Sequence, residues 1–365
     1  MMFSPNEVLA TLVDQIPSLA TSVQDLLVPV RKQRDDIRRF LEDQGLIQPV
    51  LTMAEPIYGV GATDGAFIVS PMMIGDHVSC LSVAVAETTE GSVGVVDHSA
   101  WSDFIPHSPD AEVLAKGVMM GGEISLIPSL GEDRVKIIDG SYATPFIAVN
   151  MGLASADETV RQKIISLGDQ GLVEAAEHIA ETSLVVACPK SDSSTAVWAQ
   201  CAAHLSLTGS TLTDKAMASL VLNPGEMLVS SRSNPSWEFL YASQGRVRDP
   251  GAKTLADKLT DALRPLTAHQ VTAHLVKPPG STGVVRVETH PGLDMFEADE
   301  IIHAVCANTG APFIQEPLCQ YVADLSAKSI AATADVQMES ARFELAQDPE
   351  TYELLEYLIH SYRTS

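Results

Sequence analysis

The chain has 365 residues, 45% of them hydrophobic and 19% charged, and a formal net charge of −24 at pH 7. This composition supports a globular core and excludes a chain disordered throughout. The negative field excludes a general nucleic-acid coat protein, because such binding rests on Lys and Arg neutralising phosphates. A function on DNA or RNA would then need a local positive path, metal ions at the site, or a partner that delivers the strand. The five cysteines (Cys80, Cys188, Cys201, Cys306 and Cys319) include no CxxC pair, as expected of buried free thiols in a reducing compartment. No basic-then-apolar leader opens the chain, and no window reads as the ~20 apolar residues of a membrane span, so a soluble, cytoplasmic protein is expected.

In chain order, residues 5–46 read as helical. Val8, Leu9, Leu12, Val13 and Ile16 share one face. A second stripe of Leu26, Leu27, Val30, Ile37, Phe40 and Leu41 runs up to Gly45. The basic cluster Arg31, Lys32, Arg34, Arg38 and Arg39 reads as a solvated helix face. Residues 1–50 are thus expected to form an N-terminal helical segment suited to a dimer or partner contact, with one domain over 51–365. Past Pro49 the pattern becomes β-like: Ile57–Val60 and Ala66–Val69 flank Asp64, followed by Val78–Val85 and Gly91–Val96, a meander of antiparallel strands. A helix is predicted from Ser108, with Pro109 in its first turn, to about Met120. Gly121-Gly122 and Glu123 follow. Val135–Ile138 and Leu184–Cys188 read as buried strands around a helix over 157–182. Trp237–Tyr241 and Val284–Val287 read as late strands, and 243–283 as an elaborated connection containing a helix over 253–264. Helices over 297–308, 318–333 and 339–361 close the chain. The alternation implies an α/β fold, a mixed sheet with helices around it.

Two stretches carry the candidate chemistry. Tyr58-Gly59-Val60-Gly61-Ala62-Thr63-Asp64-Gly65 and Val135-Lys136-Ile137-Ile138-Asp139-Gly140-Ser141 each read as a buried strand delivering one carboxylate, followed by a glycine that lets the chain turn away. Asp-Gly is also a common turn dipeptide, and for either one alone the turn reading is favoured. Together they suit phosphoryl-transfer chemistry, in which converging carboxylates hold two Mg²⁺ or Mn²⁺ ions. Glu123 is a third candidate. No HxxxH zinc spacing, Gly-x-Ser-x-Gly or P-loop occurs, and His303 reads as a satisfied core histidine.

In order and spacing, these stretches and several later ones resemble the NurA family of DNA-end-processing nucleases, over about residues 55–335. The later ones are Val185-Val186-Ala187-Cys188-Pro189-Lys190, Thr213-Asp214-Lys215 through Gly225-Glu226, Arg286-Val287-Glu288, and Gly310-Ala311-Pro312 through Pro317-Leu318 to Ala323-Asp324. The resemblance implies an RNase H-like core, and Mn²⁺ or Mg²⁺ held by Asp64, Glu123, Asp139 and Asp324. It also implies Lys190 on the scissile phosphate, single-stranded or end-bearing DNA as substrate, a homodimer, and a HerA-like hexameric ATPase that feeds DNA to an acidic chain. Asp324 departs from the histidine common at that place in the family. The tyrosine that usually precedes it has Phe313 or Tyr321 as its counterpart here. The alternative function is therefore a catalytically inactive adaptor that anchors or regulates an ATPase.

Overall fold

The computed structural model describes residues 13–50, 55–88, 91–191, 193–207, 212–231, 236–269, 271–310, 314–331, 333–347 and 353. Its strands are β1 (Ile47–Pro49), β2 (Gly59–Pro71), β3 (Asp76–Glu87), β4 (Val93–Ile105), β5 (Arg134–Asp139), β6 (Val185–Cys188), β7 (Glu226–Ser231), β8 (Thr272–Lys277) and β9 (Val285–Thr289). They form one sheet in the order β1-β7-β8-β9-β6-β5-β2-β3-β4. Strands β2, β3 and β4 are an antiparallel meander. β5 joins parallel to β2, and β6 parallel to β5. With a helix crossing between β4 and β5, this half has the RNase H-like arrangement. The other half, β9-β8-β7-β1, is antiparallel and meets β6 through the pair Ala187 and Glu288.

The helices in chain order are α1 (Ile16–Lys32), α2 (Arg34–Asp43), α3 (Ala111–Leu126), α4 (Thr144–Leu153), α5 (Glu158–Leu167), α6 (Val173–Glu181), α7 (Ala196–His204), α8 (Asp214–Val221), α9 (Ser236–Gln244), α10 (Pro250–Ala262), α11 (Arg264–Thr267), α12 (Met295–Ala307), α13 (Leu318–Ala331) and α14 (Ala334–Gln347). One face of the sheet buries Val78, Ala84, Ile138 and Val185 against α3–α6, α9 and α10. The opposite face buries Val60, Ala62, Val135, Ile137 and Cys188 under α12 and α13. A third cluster packs Val30, Ile37 and Leu41 of α1 and α2 against α7, α8, Leu228 and Leu275.

Several expectations change. The basic cluster is more than a solvated face. Arg38 makes a two-pronged ion pair with Glu226 at 2.7 and 2.8 Å, and Arg34 Nε donates to the Leu220 carbonyl, so α2 is clamped onto α8 and β7. The predicted 157–182 helix is broken at Gly168–Leu172, where Gly171 adopts φ 103°. Trp237–Tyr241 lies in helix α9, with Trp237 and Leu240 turned to the core three residues apart. The connection 243–283 supplies α10, capped by Asp249, and the interior strand β8. Residues 5–12 and most of the predicted helix beyond residue 347 lie outside the described residues. Ala111–Leu130 is in fact long and apolar enough to span a membrane, with mean hydropathy 1.3, but 72% of it is buried in the core. All five cysteines are buried, and none forms a disulfide.

The two Asp-Gly steps turn out to differ. Gly140, at φ 87°, turns the chain after β5 as expected. Gly65 ends nothing, since β2 runs straight through it for 13 residues. Its role is spatial. A Cβ there would meet Met119 Cγ at 2.5 Å, Glu123 Oε1 at 2.6 Å and the Leu81 carbonyl oxygen at 2.9 Å. Helix α3 sits this close because it carries glycine where it meets its neighbours: Gly122 against Ser82 Oγ (2.7 Å), Gly121 against Leu167 (2.9 Å) and Gly117 against the Ala148 carbonyl (2.8 Å). Gly65→Ala is expected to destabilise the fold by ~1–3 kcal/mol through overpacking. Gly94→Ala, where a Cβ meets nothing within 4 Å, should change stability by less than ~0.5 kcal/mol. Denaturant unfolding of the two variants checks this.

Candidate functional site

Side chains alternate across a strand. Val60 and Ala62 of β2 face the second core, so Asp64 faces the same way. Val135 and Ile137 do the same for Asp139 on β5, and Val186 and Cys188 for Lys190 just past β6. Parallel pairing sets Thr63 opposite Ile138 and Asp139 opposite Cys188. Strand parity and register thus bring two carboxylates and one ammonium to the same edge of one face.

Lys190 Nζ donates to Asp64 Oδ2 at 2.9 Å and lies 3.5 Å from Asp139 Oδ2, 3.4 Å from Asp324 Oδ1 and 3.5 Å from Glu316 Oε2. The loop carrying it is tied down by Lys215 Nζ, which donates to the Lys190 carbonyl at 2.9 Å. Asp324 comes from α13, held also by Lys328 one turn on, at 2.8 Å. From the same helix Gln320, 1% exposed, donates through Nε2 to Asp139 Oδ1 (2.9 Å) and to the Cys188 carbonyl (3.0 Å). Glu123 approaches from the other face of the sheet, beside Gly65. It is 2% exposed, and neither of its carboxyl oxygens has a hydrogen-bond partner.

The five residues singled out in the sequence, Asp64, Glu123, Asp139, Lys190 and Asp324, therefore share one neighbourhood. Glu316 and Gln320 were missed. Their signal was helical spacing: Glu316, Gln320, Asp324 and Lys328 recur every fourth residue, a polar stripe along one side of α13 and the turn before it. Tyr321 lies on α13, and Phe313 is outside the described residues.

The electrostatics follow from burial and crowding. Burial, then the neighbouring Asp139, pushes the Asp64 carboxyl up to about 6, against the pull of Lys190 and the Gly65 N–H. Burial, then Asp64 and Asp139, raises Glu123 well above the usual carboxylate range. Burial also raises Glu316. Asp324 is lowered: burial works in the opposite direction, but Lys328 and Lys190 outweigh it. Burial alone would depress Lys190, yet the surrounding carboxylates hold its pKa above the ordinary lysine value.

The donor set is all oxygen, the chemistry preferred by hard divalent cations. The unpartnered, buried Glu123 is the kind of group that needs a proton or a cation. As arranged, the carboxylates stand around an ammonium, and among the described residues no three His, Cys, Asp or Glu side chains form a ready metal cage. The residues fit such an ion in kind, and binding would require the carboxylates to close in.

No family model matches the sequence, and no curated protein matches it. Solved structures do. The NurA nuclease from Sulfolobus solfataricus is 14% identical over 94% of this chain and 98% of its own, with a TM-score of 0.57. A structure of NurA with manganese is 11% identical over 90% of this chain and 98% of its own, at 0.54. One of NurA bound to dAMP and manganese is 10% identical over 85% and 92%, at 0.51. At these identities the likeness is one of fold: the chain has the NurA fold.

An acid whose folded pKa is raised binds more protons when folded than when unfolded. Its stabilising contribution is present below the unfolded value and is lost as pH rises through the folded one. Asp64 therefore makes the metal-free protein lose stability from about pH 4 to pH 6. Asp64→Asn is expected to flatten that decline and raise stability at pH 7. Melting temperatures of both proteins from pH 4 to 8 check it; parallel curves would contradict the assignment.

Proposed function

We propose that the chain is a metal-dependent deoxyribonuclease that hydrolyses phosphodiester bonds at DNA ends. The observation that carries this reading is the convergence of Asp64, Asp139 and Asp324 on Lys190, with Glu123 buried behind them beside Gly65, in a fold shared with NurA nucleases crystallised with manganese and with dAMP. Asp64, Asp139, Glu123 and Asp324 would hold Mn²⁺ or Mg²⁺, which when bound supplies Lewis-acid activation of water and charge stabilisation of the leaving oxygen. Gln320 orients the Asp139 carboxylate by a charge-assisted hydrogen bond. Lys190, 35% exposed, has a flexible stem and room to turn from the carboxylates to a scissile phosphate. The walls of the second core shield the inner side of the site from water.

The charge of −24 supports delivery of the strand by a HerA-like ATPase ring rather than capture by the chain alone. Helix α1 leaves Ile16, Leu19 and Val23 exposed, a face that suits a second copy of the chain in a homodimer. The second reading is a non-catalytic adaptor, favoured by one observation: an internal ammonium already neutralises the carboxylates. Wild type is expected to degrade end-bearing DNA with Mn²⁺ and the ATPase present, and Asp139→Asn to lower the rate at least ~10³-fold, several kcal/mol of transition-state stabilisation, while keeping its melting temperature. Equal rates in the two would leave the adaptor.

A further inference from the structure

Glu316 is the acid at this site that neither the paired Asp-Gly steps nor the closing motif points to. Its carboxylate stands 3.5 Å from Lys190 Nζ and is 21% exposed, as buried as those of Asp139 and Asp324. It enters from the turn before α13, opposite the strand-borne Asp64. The ammonium between them is the chain's own cation, and its position marks where the surrounding field is most favourable to positive charge. A separate observation stands beside it: Glu123 is buried against Gly65, the residue after Asp64, with both carboxyl oxygens unpartnered, as a carboxylate awaiting a cation would be.

We propose that Glu316 is a metal-binding carboxylate of this site, making its ligand set five carboxylates with no nitrogen or sulfur donor. This rests on the metal-dependent reading above. The ammonium contacts of 2.9–3.5 Å are longer than the ~2.0–2.1 Å of Mg²⁺–oxygen ligation. Ion binding therefore draws the carboxylates inward as Lys190 leaves, and Glu316, with one more methylene than aspartate, has the reach to follow. An all-oxygen set favours Mg²⁺ and Mn²⁺ over ions that prefer imidazole or thiolate. Asp324 contributes to the same preference, since it offers oxygen at the place where the resembling family commonly has histidine.

The test is thermal unfolding of the full chain titrated with MnCl₂. A ligand that binds only the folded state raises the melting temperature with its concentration. Wild type is expected to be stabilised by Mn²⁺. Glu316→Gln should melt higher without metal, because a crowded charge is gone, and should need ~10-fold more Mn²⁺ or above for the same shift. A wild-type response with an unchanged concentration dependence in Glu316→Gln overturns the assignment of Glu316 alone. A wild type indifferent to Mn²⁺ overturns the metal-dependent reading and this assignment with it.

Discussion

Like charges do not gather without something between them, and here that something is the Lys190 ammonium, within 3.5 Å of Asp64, Asp139, Glu316 and Asp324. At ~4 Å, two unit charges at a protein surface interact by ~4 kcal/mol, and by more where water is excluded. One cation cannot fully balance four carboxylates at that separation, and burial together with that crowding holds the Asp64, Glu123 and Glu316 carboxyls above the ordinary carboxylate range. The rest of the architecture can be understood as the means of sustaining that crowding. Strand parity supplies two of the acids and α13 supplies one more with the glutamine that steadies Asp139. The glycines of α3 and β2 let Glu123 in from behind.

The ion pair at the other end of the molecule makes a useful contrast. Arg38 grips Glu226 with two nitrogens, and hydrogen bonding from Arg38 pulls that carboxyl down to about 2. There Glu226 takes both prongs of the guanidinium, which also reaches Glu42 at 2.8 Å, and accepts from Asn223 as well, and the pair fastens α2 to the sheet edge, where Ile37 and Leu41 are fully buried. In the carboxylate cluster four acids share one ammonium, and among the described residues only Asp324 has a second cation, Lys328. The first arrangement is what a structural ion pair looks like, and the second is typical of sites that take up a ligand.

Much of the fold could be read in the sequence because its strongest periodic signals, the Val-rich runs of β2, β3, β5 and β6 and the stripes of α3, α12 and α13, are decided locally. The failures were local as well. Trp237–Tyr241 is a short aromatic run that periodicity cannot assign between strand and helix, and β8 carries too mixed a pattern to announce itself as an interior strand. At the site, Asp64 was found for a mistaken reason: its glycine was read as a corner, whereas Gly65 makes space inside a continuous strand. Asp139 was found for the right one. That Glu123 comes to lie beside Gly65, close enough to feel both aspartates, depends on α3 running on through Gly121-Gly122, which a scan for helix breakers ends too early. For Glu316 and Gln320 the four-residue spacing marks only a polar side of a helix; that this side faces Lys190 and Asp139, well over 100 residues earlier in the chain, is not recorded by any spacing.

The pairing of β1 with β7 bears on how the chain assembles. Ile47 lies opposite Leu228 and Arg38 holds Glu226, so the docking surface of the first helices is built from residues made nearly 200 positions later. During synthesis the meander β2–β4 can form as soon as it emerges. The helices before it must wait, with the apolar residues Ile37 and Leu41 uncovered, until β7 and α8 exist. These helices are thus made before the meander but fixed in place after it. Closing so long a loop is costly in chain entropy, which makes this docking a natural slow step in folding.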